Sequence, residues 1–283
     1  VSPTTEERRE EVRERLAALL RQNGPLDIVE AALLVAAEEY PHLDTGRERR
    51  RIEALAAEAG SRALPLANPF ARLDALRVYL FDELGFHGSV DDYDDPRNSF
   101  LNKVLDRRAG IPLTLSLVFM EVARGAGFEA RGVGLPGHFV VRLDHDGRVL
   151  IVDPYHAGAV ITEEDCRDLV LRSTGRPSLF RRELLEGTTP LAMLVRLLRN
   201  LKRVFLARED YERALGVVDR LLLAAPGEPS ELRDRGFVLA HLGRPGAAAA
   251  DLESYLSLAP GAPDADAVRD RLAWLNRKNQ EIN

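Results

Sequence analysis

His138 and Asp153 are the residues of this 283-residue chain whose types and spacing could together do chemistry. They flank a segment that reads as a β-hairpin. His138-Phe139-Val140-Val141-Arg142-Leu143 runs out, Asp144 to Gly147 turns, and Arg148-Val149-Leu150-Ile151-Val152 returns to Asp153-Pro154-Tyr155. Antiparallel pairing sets the start of one strand beside the end of the other, so the imidazole and the carboxylate are predicted to meet at one end of the sheet. An acid that orients an imidazole, which in turn activates a nucleophile, is the logic of a thiol hydrolase or acyltransferase. Spacing alone favours the plainer reading, a strand-end histidine hydrogen-bonded to a carboxylate for structural reasons.

The elements that must position this pair precede it. Phe128 to Val133 reads as a third strand, and before it Pro112-Leu113-Thr114-Leu115-Ser116-Leu117-Val118-Phe119-Met120-Glu121-Val122-Ala123 reads as a helix closed by Gly125-Ala126-Gly127. Proline suits the first helical position, whose N–H has no intrahelical partner, and glycine suits the left-handed C-terminal cap. Apolar residues on nearly every face predict a helix enclosed by protein. Its N-terminus, with free N–H groups and the positive end of the dipole, would favour an anion or a thiolate. The expected class is α+β: helices leading into a core with a small antiparallel sheet.

Gly110-Ile111-Pro112, Ala126-Gly127, Gly137-His138-Phe139 and Val152-Asp153-Pro154 together resemble the core of the transglutaminase and peptide N-glycanase superfamily. More narrowly, three runs resemble the SirB-type family: Asn98-Ser99-Phe100-Leu101-Asn102-Lys103-Val104-Leu105, Arg107-Arg108-Ala109-Gly110-Ile111-Pro112, and Pro136-Gly137-His138-Phe139. Members of that family couple such a core to C-terminal tetratricopeptide helices. The resemblance implies a Gly-x-Cys at the start of the central helix, with the histidine and aspartate on the strands that follow. Aligning Gly110-Ile111 with Gly-x puts Pro112 where the nucleophilic cysteine would be, and proline offers no nucleophile. The one cysteine, Cys166, lies beyond the hairpin among acidic residues and reads as incidental. Ser116 follows Pro112 by one turn on the same face, about 6 Å deeper, and Thr114 points roughly opposite. The asparagines Asn98 and Asn102 look like those of the family: either they border a pocket with Pro112, Arg131, His138 and Tyr155, or they hydrogen-bond the adjoining loop.

Composition narrows the rest. A hydrophobic content of 45% supports a substantial core in one or two domains. The net charge of −6, with both signs spread throughout, argues against nucleic acid as the main partner. A single cysteine excludes a disulfide framework and fits a reducing compartment. No apolar run reaches membrane-spanning length, and the N-terminal stretch is too charged for a secretory signal, so a cytoplasmic protein is expected. Helices are predicted from a cap within Thr4-Thr5-Glu6-Glu7 through Arg21, from Leu26 to Tyr40, Arg47 to Ala59, Ala71 to Glu83, and Pro96 to Leu105 with Asp95 as its cap. The arginines of the third are balanced by Glu48, Glu53 and Glu58. Asp91 to Asp95 invites a calcium-loop reading, but Pro96 occupies the glycine position and the closing glutamate is missing. His138, Asp153 and His156 match neither helical nor zinc-ribbon spacing, so no metal site and no cofactor is expected.

Beyond Glu186-Gly187-Thr188-Thr189-Pro190 the chain turns helical and repetitive, dividing it into an expected core, 1–189, and an array, 190–283. Ala214 and Ala248, like Pro226 and Pro260, repeat at the 34-residue tetratricopeptide period. Such arrays dock helices or peptides, so a protein partner is expected there. Three functions follow. The favoured one is a non-catalytic binding protein on a core without its cysteine. The others are a hydrolase or acyltransferase using Thr114 or Ser116 with His138 and Asp153, and a small-molecule-binding regulator.

Overall fold

A computed structural model describes the backbone of residues 4–282 and the side chains through Lys278. Local signals account for the N-terminal helices. Thr4 and Glu7 form a reciprocal capping box at the start of α1 (Thr5–Arg21), and Asp27 and Asp44 cap α2 (Ile28–Glu39) and α3 (Thr45–Ala63) through the free N–H groups of their first turns. Helix α2 is apolar nearly all round and is buried from Ile28 to Ala37 except at Glu30. Next come α4 (Pro69–Arg77) and a π-helical turn, Val78–Glu83, where a single continuous helix was expected.

Two short strands that the sequence reading did not include, β1 (His87–Gly88) and β2 (Ala109–Gly110), pair in parallel. Between them the expected Pro96–Leu105 helix is broken into a 3-10 turn, Pro96–Asn98, and α5 (Leu101–Arg107). The break has a tertiary cause. The Asn98 carbonyl is turned away to accept the Thr114 hydroxyl at 2.7 Å and the Ile111 N–H at 3.4 Å.

Helix α6 (Pro112–Gly125) is the hub, and every side chain from Pro112 to Met120 is buried. It packs against α3, against strands β3 (Glu129–Leu135) and β4 (His138–His145), and against the 3-10 turn Pro154–His156. With β5 (Arg148–Asp153) and β6 (Ala159–Ile161), these strands form an antiparallel sheet in the order β3-β4-β5-β6. Leu135 pairs with His138, which leaves Pro136-Gly137 as a two-residue turn. Gly137 sits there at φ +77°, and a Cβ would overlap Ser173, so backbone and space both require glycine. Helix α7 (Glu163–Thr174) covers the sheet: Cys166, Leu169 and Val170 pack with Val133, Leu135, Val140 and Ile151.

The chain forms two compact units, residues 1–197 and 198–283. The division falls inside α8 (Pro190–Ala207), not in the loop before Pro190. Met193, Leu194 and Leu197, in the first half of α8, are buried. The second unit holds α9 (Tyr211–Ala224), α10 (Pro229–His241), α11 (Pro245–Leu258) and α12 (Ala265–Ile282). Ala214 and Ala248 are fully buried at equivalent places in α9 and α11, and Pro226 and Pro260 follow the ends of these helices. The 34-residue period therefore corresponds to a structural repeat.

Candidate functional site

Hairpin register brings the candidate pair together. Val141 pairs with Val152, so the start of β4 and the end of β5 share one end of the sheet. There His138 Nε2 lies 2.8 Å from Asp153 Oδ2. The same carboxylate oxygen lies 2.7 Å from His156 Nδ1. The other oxygen, Oδ1, accepts the backbone N–H groups of Tyr155 at 3.0 Å and His156 at 3.4 Å, so Asp153 also caps the turn that carries His156. Burial would raise the Asp153 carboxyl, but the hydrogen-bonded imidazoles of His138 and His156 more than offset it and hold it below the ordinary carboxylate range. His138 and Asp153 are 6% and 1% exposed, whereas the His156 side chain is 57% exposed, so the group is open on one side.

Tyr155 ties this group to the start of α6. Its ring meets His138 edge-on at 5.9 Å and lies against Gly88, while its hydroxyl donates to the Ser89 carbonyl at 2.8 Å. Gly88 in turn pairs with Gly110, two residues before Pro112. Burial, then the proximity of Tyr93 and Asp153, raises the Tyr155 phenol.

Two expected hydroxyls do not join the site. Thr114 is fully buried and its Oγ1 donates to the carbonyls of Asn98 and Ile111, at 2.7 and 3.2 Å. Ser116 Oγ is buried with no hydrogen-bond partner among the described residues. Neither is bonded to His138, whose ring partner is Asp153. Pro112 occupies the first position of α6, buried. Cys166 is fully buried under the sheet, and that burial, followed by the charges of Asp165, Asp153 and Glu163, pushes its thiol up to about 12.

The residues expected to border a pocket fall in different places. Arg131 is exposed on β3 opposite Arg142, four residues from the Leu135–His138 pair, with its guanidinium toward Glu129 at 3.4 Å. Strand register carries it away from the site. Asn98 is fully buried and works as a brace: Nδ2 donates to Ser89 Oγ and the Asp92 carbonyl, and Oδ1 accepts Arg107 at 2.8 Å. Asn102 is buried as well, its Oδ1 without a partner among the described residues. Within the acidic loop, Asp95 faces Arg97 and Arg107 and caps the Pro96 turn.

Two participants escaped the sequence reading. His156 matches neither a helical nor a zinc-ribbon spacing relative to His138 and Asp153. Its proximity to Asp153 comes from a 3-10 turn, in which residues three apart eclipse. Arg196, in α8, donates to the carbonyls of Leu135 and His138, both at 2.8 Å, and so pins the β3–β4 turn. No local signal links it to a residue 58 positions earlier.

The comparisons with known proteins agree with this anatomy. The Transglutaminase-like superfamily matches residues 47–199, and a Tetratricopeptide repeat family matches residues 201–273. A UPF0162 protein of Xylella fastidiosa (strain Temecula1) is 36% identical over 256 residues, covering 89% of this chain and 91% of the relative. One from Pseudomonas aeruginosa is 32% identical, covering 89% and 92%, and one from Escherichia coli K12 is 28% identical, covering 85% and 88%. Among solved structures, menin aligns with a TM-score of 0.39 and 10% identity over 90% of this chain and 70% of its own, too distant to argue from. On the superfamily match and the near full-length relatives, this chain belongs to the transglutaminase-like superfamily, as one of the UPF0162 proteins, with tetratricopeptide repeats after its core.

Proposed function

We propose that this chain is a non-catalytic, cytoplasmic protein-binding or regulatory protein of SirB type, in which a transglutaminase-like core serves as a scaffold and the repeat array docks a helix or peptide. The observation that carries this reading is the start of α6. Pro112 stands at the place where the superfamily resemblance implies a cysteine, and neither Thr114 nor Ser116 is bonded to the imidazole that would have to activate it. Cys166 is no substitute, since a buried thiol raised to about 12 supplies almost no thiolate near neutrality. The array supports the binding half, because tetratricopeptide repeats generally mediate protein interactions.

The test pairs reactivity with contact. Fluorophosphonate and iodoacetamide probes are applied to the wild-type protein and to His138→Ala, and no His138-dependent labelling is expected. Labelling of the wild type that disappears in His138→Ala would overturn the non-catalytic reading. Photo-crosslinkers replacing the exposed Leu223 and Trp274 are expected to capture one recurring protein in cells. Recovery of none from either position would count against the array as the docking surface.

A further inference from the structure

The superfamily arrangement accounts for one histidine on one carboxylate; here there are two. Orienting an imidazole as a base takes a single acid and a single ring. At this site His138 Nε2 and His156 Nδ1 converge on the same oxygen of Asp153, at 2.8 and 2.7 Å. All three donor atoms lie within 4.8 Å of one another, and no other such grouping of three occurs among the described residues. We propose that His138, Asp153 and His156 form a site for one divalent metal ion of zinc's borderline class, bound through His138 Nε2, His156 Nδ1 and an Asp153 oxygen, with water completing the coordination.

The donor set and its geometry carry this. Two imidazoles and one carboxylate are the ligands that zinc and its first-row neighbours take, whereas calcium and magnesium prefer all-oxygen sites. Metal–ligand bonds of about 2.1 Å in tetrahedral or octahedral geometry set neighbouring donors roughly 3.0–3.4 Å apart. The Asp153–histidine separations need to open by only a few tenths of an ångström. On binding, each neutral ring loses to solvent the proton on the nitrogen that now faces Asp153 and takes one up at its other nitrogen, so the ring stays neutral, no net proton is released, and the freed lone pair goes to the metal.

The surroundings hold the ligands as an outer shell would. Asp153 Oδ1 is fixed by two backbone N–H groups, which leaves Oδ2 for the ion. The carbonyl of His138 is held by Arg196, and the edge of Tyr155 fixes the ring's flank. Because His156 is largely exposed, the ion would face solvent on one side, as an open site does. The site does not depend on the array or on the docking role proposed above, so either can fail alone.

The experiment uses the full-length chain without a polyhistidine tag, stripped with EDTA, and titrated with zinc chloride against a chromogenic chelator. One ion per chain is expected. His156→Ala is expected to weaken it about 100-fold or more, at or beyond the upper end of the roughly 10–100-fold typical of losing an outer-shell partner. Asp153→Asn and His138→Ala are expected to do the same, and His42→Ala, in an exposed loop, to do nothing. Cobalt substitution gives a second readout, visible absorption that His156→Ala abolishes. Circular dichroism checks each fold. If the two buried variants unfold, the exposed His156→Ala decides. Absence of stoichiometric zinc binding, or binding that His156→Ala leaves unchanged, overturns the site and leaves the group as a hydrogen-bonded clamp.

Discussion

Asp95 shows how a side chain that invites a functional reading can be absorbed by structure. It is 3% exposed, caps the Pro96 turn through the Arg97 N–H, and pairs with Arg97 and, at 3.6 Å, with Arg107. Burial would raise its carboxyl, but the hydrogen bonds and charge of Arg97, then Arg107, outweigh it, so its folded pKa lies below the ordinary value. A depressed carboxylate contributes stability that is present above the unfolded pKa, about 4, and is lost as pH falls through the folded value. Asp95→Asn, which keeps the cap and removes the charge, is expected to lower unfolding free energy by about 1 kcal/mol at pH 7. The difference should shrink towards zero below about pH 4. Urea titrations at both pH values check this, and a gap unchanged by pH would refute it. At the candidate site, Asp153→Ala strands the buried His138 imidazole N–H and removes the cap of the Pro154–His156 turn, and should cost about 2–4 kcal/mol.

Among the elements, α6 is held by a close approach to α3. A Cβ on Gly60 would come within 2.7 Å of the Gly125 carbonyl oxygen, and one on Gly125 would overlap the backbone of Ala56. Two backbones meet here with no room for a methyl group. Gly125→Ala improves helix propensity by roughly 1 kcal/mol, yet it is expected to destabilise the protein by at least about 2 kcal/mol, because the helices must separate. Thermal denaturation decides which effect wins. A neutral or stabilising outcome would mean that the α3–α6 crossing is looser than described. Since α6 also supports β3, β4 and the Pro154–His156 turn, separation should disturb the site as well.

At the scale of the whole molecule, the division inside α8 has a practical consequence. A fragment ending at residue 189 lacks Met193, Leu194 and Leu197, all buried, and loses the two bonds from Arg196 to the β3–β4 turn. A fragment ending at residue 207 keeps them. The shorter is expected to melt at least about 5 °C below the longer, or to aggregate, since the lost burial is worth several kcal/mol. Equal melting temperatures would show that α8 contributes nothing to the first unit. Among the described residues no helix is long and apolar enough to cross a membrane. Within the second unit, Glu231 is 1% exposed and paired with Arg199 and Lys202, at 3.0 and 2.6 Å, so its charges are spent on internal bracing as much as on surface.

What the sequence determined by itself are the features with local causes. The caps at the first helix and at Asp95, the proline that opens α6, the alternation and turns of the hairpin, and the 34-residue period all act between residues close in the chain. Each was legible with boundaries off by a few residues. The meeting of His138 with Asp153 was legible too, because antiparallel register converts sequence position into spatial position. What only the tertiary structure decided are the convergences between elements. Asn98 turns inward as a brace, Arg131 lies exposed opposite Arg142, Arg196 reaches back to the His138 carbonyl, and His156 closes on Asp153 through a turn no helical spacing describes. Such contacts depend on which faces meet once the core has packed, and sequence separation carries no information about that.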